Sequence, residues 1–243
     1  MKYIFVTLQT IFLISILISI IPIQGKPIDS NLVSRWEIQE WNNDAAVFWW
    51  DPPVTTSYFI ASTGSYINYT LDSYDPTNFT HPSTGKIEIG NLTVHTTNNK
   101  SGEVLALSIY GWFPGLITSA SDWNYQIQVA EEVAQGEWTL GNLSTNEFKY
   151  NYSGFHRRAI NFSYCQDPSV GNQNTTLIYD KETGVLLEGS TEFLDSYILR
   201  LKLVYSDLIS GSNITPWPLV SVSFAVLGIG LLHKFSLYRK KRY

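Results

Sequence analysis

Cysteine is all but absent. Cys165 stands alone in 243 residues, so no disulfide can form within the chain and the fold must be held without covalent cross-links. Histidine is nearly as scarce, and His81, His95, His156 and His233 form no HExxH, CxxC or paired-His pattern that would hold a metal. No GxSxG turn presents a serine nucleophile, and Cys165 has no histidine at a recognisable spacing to activate it. Cys165 is therefore expected to be a partly buried free thiol. The adjacent Glu131 and Glu132 diverge on a helix and suit solvent rather than acid–base work. The stretches Asp72 to Asn78 and Gln166 to Asn174 are rich in oxygen ligands, but neither follows the EF-hand spacing for calcium. No catalytic residue, metal site or cofactor is assigned, and the chain reads as a non-enzyme.

Basic residues are also lacking where a nucleic-acid binder would need them. Between Lys26 and Thr215 there are ten basic residues against all 21 acidic ones, a net charge of −11. Phosphate neutralisation requires a clustered Lys/Arg surface, so no nucleic-acid partner is expected. The other six basic residues flank two apolar runs, one at each end of the chain.

Tyr3 to Ile23 is apolar, is preceded by Lys2 and ends near Gly25, as a secretory signal does. Ile23 is branched where a small residue is preferred, so an uncleaved anchor stays open beside a signal peptide over residues 1–25. At the other end, Leu219 to Leu232 is continuously apolar, and extension to 216–238 gives the roughly 20 residues that a bilayer requires. Trp217 and Tyr238 would sit at the two interfaces. Arg239, Lys240, Lys241 and Arg242 in the 239–243 tail would stay cytoplasmic. A buried C-terminal core helix is the alternative. Residues 26–205 then form one extracytoplasmic domain, joined to the span by a polar linker, 206–215, and the membrane is the first expected partner.

Asparagine is abundant between the two runs, and nine positions lie in Asn-x-Ser/Thr: Asn68, Asn78, Asn91, Asn99, Asn142, Asn151, Asn161, Asn174 and Asn213. Chance would give about three, so the excess points to N-glycosylation outside the cytoplasm. Aromatic residues, 14% of the chain, exceed what one thin sheet needs. Trp49, Trp50, Trp112, Phe113 and Trp123 are candidates to line a glycan or lipid site, with core packing as the default.

Along the chain, 31–41 suits a short helix or an irregular strand. Val47 to Trp50 would be a strand stopped by Pro52-Pro53. Period-two runs then predict antiparallel strands. In 66–71, Ile67, Tyr69 and Leu71 share one face. In 86–97, Ile87 and Ile89 are out of phase with Leu92 and Val94, which a bulge at Gly90 would repair. In 104–110, Leu105, Leu107 and Ile109 share a face. Trp123, Ile127, Ala130 and Ala134 make the stripe of one amphipathic helix, capped by Ser121 and stopped by a left-handed Gly136, with Gln126, Gln128, Glu131 and Glu132 solvated. Strands resume at 137–152, 155–164, 175–180, 184–188 and 192–205. Ile160, Phe162 and Tyr164 point inward and Asn161 outward, and Leu199, Leu201, Leu203 and Tyr205 share a face. Asp180 to Gly184 reads as a hairpin loop, with Gly184 at positive φ.

Ile178-Tyr-Asp-Lys-Glu-Thr-Gly-Val-Leu-Leu187 resembles the strand–turn–strand of envelope lipoprotein carriers of the LolA, LppX and RseB type. That resemblance implies an open curved sheet over helices, with an apolar groove for acyl chains. Gly90-Asn-Leu-Thr93, Trp112-Phe-Pro-Gly-Leu116 and Gly171 to Leu187 together are similar to uncharacterised surface proteins of Asgard-type archaea. Those pair a signal peptide with a C-terminal anchor and a sequon-rich exterior. The terminal block also resembles tails that archaeal sorting peptidases process, with Pro216-Trp-Pro218 in place of Pro-Gly-Phe.

The expected fold class is α+β, mainly β: a curved antiparallel sheet, open or a half barrel, over one amphipathic helix, with the N-terminal signal and C-terminal transmembrane helix added. The expected role is that of a single-pass cell-surface glycoprotein, binding or structural and non-catalytic, with a glycan, a lipid or a surface protein as candidate ligand. The alternative is a carrier or sensor of an apolar ligand in a half-barrel groove.

Overall fold

The computed structural model describes residues 31–43, 61–90, 92–193 and 197–210. The expected signal 1–25, the 47–50 strand, Trp49, Trp50, Asn91, Asn213, the 216–238 span and the 239–243 tail lie outside the described residues.

Nine strands form one antiparallel sheet that does not close. They are β1 (Leu32–Asn43), β2 (Tyr66–Tyr74), β3 (Ser83–Ile89), β4 (Leu92–Thr97), β5 (Gly141–Tyr152), β6 (Phe155–Gln166), β7 (Gln173–Asp180), β8 (Leu186–Phe193) and β9 (Tyr197–Ser206). The described residues also form three helices, α1 (Asn98–Leu105) and α2 (Trp123–Ala134) between β4 and β5, and the short α3 (Asp207–Ser210) after β9. The spatial order is β4-β3-β2-β1-β9-β8-β7-β6-β5. Two up-and-down meanders, β1 to β4 and β5 to β9, are thus joined through the pairing of the first strand with the last. Segment 31–41, left open between helix and strand, is β1, because both its edges find partners, β2 and β9.

The period-two reading holds for most strands. Ile67, Tyr69, Leu71, Ile160, Phe162, Leu177, Leu199, Leu201 and Leu203 all lie within the core. In register they make one continuous apolar face, for example Ile67 opposite Trp36 and Phe162 opposite Leu177. Because β4 and β5 are opposite edges, the chain from Asn98 to Leu140 must cross the whole sheet, and it does so over this face. Eight inter-strand gaps of about 4.8 Å make that crossing about 38 Å.

The crossing segment is irregular between α1 and α2, and burial obliges its polar backbone groups to find partners. The sheet supplies them. Tyr197 donates to the Leu105 carbonyl at 3.0 Å, Gln173 to Ser108 at 2.7 Å and Tyr179 to Gly115 at 2.7 Å. Ile117 and Val185 form a bridge, and the Leu186 and Thr118 amides bond to Leu116 and Gly184.

Several local expectations are corrected. Residues 104–110 are no strand: α1 covers 98–105 and Ala106 turns at φ 53. Leu105, Leu107 and Ile109 are nevertheless buried, since the crossing segment presents them to the sheet. The phase change at Gly90 is a two-residue hairpin turn and not a bulge, because Ile89 pairs with Leu92 across Gly90-Asn91. The cap of α2 is Asp122, which accepts the Tyr125 amide at 3.0 Å, in place of Ser121. The helix ends on Gln135, whose amide bonds to Glu131, and not on a left-handed Gly136. Strand β8 runs through Glu192 to Phe193, so the break before β9 falls later than expected. Tyr205 turns outward because Val204 is an extra residue in β9 against β1, between the Leu203–Trp36 and Tyr205–Arg35 pairs. The expected linker begins as structure: Ser206 ends β9, Ile209 is buried, and Asp207 accepts the Val33 amide at 2.8 Å.

Gly184 does take positive φ, at 67°, and a Cβ there would lie 1.9 Å from the Thr118 carbonyl oxygen. Left-handed backbone alone costs a non-glycine residue roughly 1–2 kcal/mol, and here the obstacle is backbone of the crossing segment. Gly184→Ala is expected to lower unfolding free energy by more than about 2 kcal/mol, measured by urea denaturation of the isolated domain. Gly64→Ala, with φ 85 but open space around it, is expected to cost less than Gly184→Ala.

Candidate glycan-bearing face

The covered face takes up most of the aromatic residues that suggested a ligand site. Trp112 is buried and its ring lies 4.8 Å from Phe162, centroid to centroid. Trp123, at the start of α2, lies 6.3 Å from Phe162 and 6.2 Å from Tyr179. The indole of Trp112 donates to Gln126 at 3.0 Å, and Gln126 donates in turn to Thr118 at 2.9 Å. Gln126, expected in solvent, is therefore a buried hub, and Ile127 takes the half-buried position beside it. Phe113 is half-buried on the crossing segment. Trp112, Phe113 and Trp123 thus lie between α2 and the sheet or on the strap that crosses it.

The open face carries polar and charged side chains at alternate positions. Register places Asn142, Cys165 and Asn174 in one row across β5, β6 and β7. Asn68 lies between Arg35 on β1 and Glu88 on β3. Asn142 and Asn174 are exposed and Asn68 is half-exposed. Cys165, expected to be partly buried, is exposed in the same row. Asn78 lies in an exposed turn where its Oδ1 accepts the Thr80 and His81 amides at 3.1 and 2.9 Å. Asn151 sits at the β5–β6 hairpin tip, where its Oδ1 accepts the Gly154 amide at 3.2 Å. In both turns it is the carbonyl that is used, not Nδ2, the atom to which a glycan attaches.

Asn161 differs from the expectation of a solvated sequon. Its Nδ2 donates to Asn146 at 3.1 Å, while its Oδ1 is buried. The cause is the β5–β6 arm, which runs past β7 and bends over the open face. Tyr150 on that arm donates to Glu188 in β8 at 2.6 Å, and Tyr152 is buried near the tip. Asn99 lies on α1, and its side chain is outside the described residues.

No family model, curated protein or solved structure is found to match the chain. Among the described residues no group of three or more His, Cys, Asp and Glu side chains is placed to hold a metal ion. No helix among them is long and apolar enough to cross a membrane. The oxygen-rich loops close on themselves. Asp75 accepts the Thr77 amide and hydroxyl, and Asp167 accepts those of Ser169, which holds both carboxyls below the usual range. The Lys181 ammonium beside Glu147 lowers that carboxyl in the same way. Asp180 is fully buried and is held by Arg157 at 2.7 Å and by the Glu182 and Thr183 amides, so it pins the β7–β8 turn.

Sequence reasoning missed two features, one on each face of the sheet. The bend of the β5–β6 arm was signalled only by Phe148, Tyr150 and Tyr152, which alternate on the opposite face from Leu143 and Thr145. The burial of Gln126 had no signal beyond its helical spacing from Trp123 and Ala130.

The tyrosines of the covered face make folding pH-dependent. Burial pushes Tyr69 and Tyr164 up to about 12 and raises Tyr179 and Tyr197 as well. An unfolded tyrosine ionises near pH 10. Stability contributed by these groups is thus intact below pH 10 and is lost as pH rises towards 12, because the unfolded chain releases its protons first. The domain should unfold cooperatively in that window, with tyrosinate absorbance at 295 nm rising together with loss of circular dichroism. Absorbance that rises fully while the fold persists would contradict the burial.

Proposed function

We propose that the chain is a single-pass cell-surface glycoprotein whose β domain serves a binding or structural role without catalysis. The observation that carries this reading is the placement of the sequons. Of the six whose side chains are described, Asn78, Asn142, Asn151 and Asn174 are exposed, Asn68 and Asn161 are half-buried, and none is fully buried. A chance scatter of Asn-x-Ser/Thr over strands buried on one face would place some in the core. The signal at 1–25, the span at 216–238 and the net charge of −11 between Lys26 and Thr215 are in keeping with it. Both ends of the described domain also leave from one place, where Val33 bonds to Asp207 and Ser34 to Ser206. A domain tethered at its C-terminus is compatible with that exit.

The apolar-carrier reading stands second. It requires space between α2 and the sheet, where Trp112, Trp123, Phe162 and Tyr179 lie ring against ring.

The test is the mass and location of the full chain in its own cells. Sequon peptides are expected to carry glycan, most heavily at Asn142 and Asn174, and the protein should stay with membranes through an alkaline carbonate wash. Removal of residues 216–243 should release it. An unmodified mass overturns the glycoprotein reading, and lipid co-purifying in stoichiometric amount with the released domain would favour the carrier.

A further inference from the structure

Among the six described sequons, Asn68 alone is preceded at the second position by an exposed aromatic. Tyr66, Asn68 and Thr70 alternate along β2 and so project from the same, open face. Tyr66 is 46% exposed. The corresponding residues before the other five are Pro76, Leu140, Lys149, Ala159 and Asn172. Arg35, opposite Asn68 on β1, orders this row: its Nε donates to Asn68 Oδ1 at 2.7 Å, and its guanidinium lies 5.6 Å from the Tyr66 ring centroid. With Oδ1 turned to Arg35, Nδ2 is left without a partner among the described residues. Two residues along a strand is about 6.8 Å, a distance that the first sugar attached to Nδ2 covers.

We propose that Asn68 is a glycan-docking site, at which the first sugar of an N-linked glycan packs its apolar C–H face on the Tyr66 ring while Arg35 holds the carboxamide in place. The proposal rests on the glycoprotein reading and deepens it. The ring face is electron-rich and accepts polarised C–H groups; the Arg35 guanidinium lies over one face as a cation–π partner that fixes the ring's orientation, so the sugar would pack on the other face. The glycan at Asn68 then stabilises β2 and its pairing with β1, whereas those at Asn142 and Asn174 stand free of the protein.

The experiment uses the full chain made in a glycosylating host. Glycopeptide mass spectrometry reads each sequon, and thermal midpoints are compared for the wild type, Thr70→Ala, Tyr66→Ala and the double variant. Thr70→Ala removes the glycan yet keeps the Asn68–Arg35 hydrogen bond. The same four chains from a non-glycosylating host give the intrinsic effect of each substitution. The glycan is expected to raise the midpoint by about 2–4 °C with Tyr66 present and by less than about 1 °C with Tyr66→Ala, while Tyr66→Phe keeps the full shift. Equal shifts with Tyr66 and Tyr66→Ala overturn the docking and leave the glycoprotein reading standing, as does a bare Asn68 beside modified Asn142 or Asn174. No modified sequon at all overturns both.

Discussion

The order of the strands imposes one constraint that shapes the rest of the domain. Strands β4 and β5 follow each other in sequence but form opposite edges of a nine-stranded sheet. The chain between them therefore has to run across one face, and its irregular middle must be buried to cover that face. Buried backbone without partners costs about 1–3 kcal/mol per group, so the sheet cannot be purely apolar beneath it. Tyr179, Tyr197 and Gln173 answer that need with hydroxyl and amide donors aimed at the carbonyls of Gly115, Leu105 and Ser108. The aromatic surplus of the sequence, read on composition as a candidate ligand site, follows in part from the same constraint. A tyrosine buries a ring and still delivers a donor to a strap lying over the sheet.

Pairing of β1 with β9 has a second consequence. The register runs from Ser34 opposite Ser206 to Asn43 opposite Tyr197, so entry into β1 and exit from β9 share one end of the sheet. In the single-pass reading this is the end nearer the membrane. The row of Asn142, Cys165 and Asn174 continues through Glu192 and Ile198 to Asn42, at the other end. The exposed sequons of that row then stand farthest from the bilayer, where a glycan meets least obstruction.

How much of this was legible follows from the physics of each signal. Alternation follows the covered face in β2, in β6 from Ile160 to Tyr164 and in β9 as far as Leu203, because that face is buried throughout, and it fails at Tyr205, where the bulge at Val204 turns the side chain outward. The same alternation misled at 104–110, where Leu105, Leu107 and Ile109 are buried against the sheet without pairing to a strand. Periodicity reports burial, and only pairing makes a strand. The slip at Gly90 was seen, but a bulge and a two-residue turn shift phase alike, and only the partner strand distinguishes them. Gln126 was placed in solvent by its chemistry. It is buried because Trp112, fourteen residues earlier on the crossing segment, brings an indole donor to it. Such a long-range match leaves no local trace. The sequons were legible as a set, but their individual exposure depended on the sheet register and on the bent β5–β6 arm.

That arm also explains why the open face does not behave as an exposed apolar surface in search of cover. Of its own apolar residues, Phe148 pairs with the buried Ala159, Phe148 and Tyr150 pack against the core, and Tyr152 is buried within it. Beyond the arm, the face is laced by Lys202 with Glu188 at 3.1 Å, Arg200 with Glu40 at 2.5 Å and Lys86 with Glu88 at 2.7 Å. Exposed pairs of this kind add little to stability, so their weight lies elsewhere. They keep a broad sheet face soluble without offering a strand or an apolar patch to a neighbour, and charge of both signs on a sheet discourages stacking. Glycans on Asn68, Asn142 and Asn174 would extend the same effect over the rows that the ion pairs leave uncovered. Contact with a partner would then fall to the edges and turns of the domain, where backbone and exposed rings such as Trp138 are accessible.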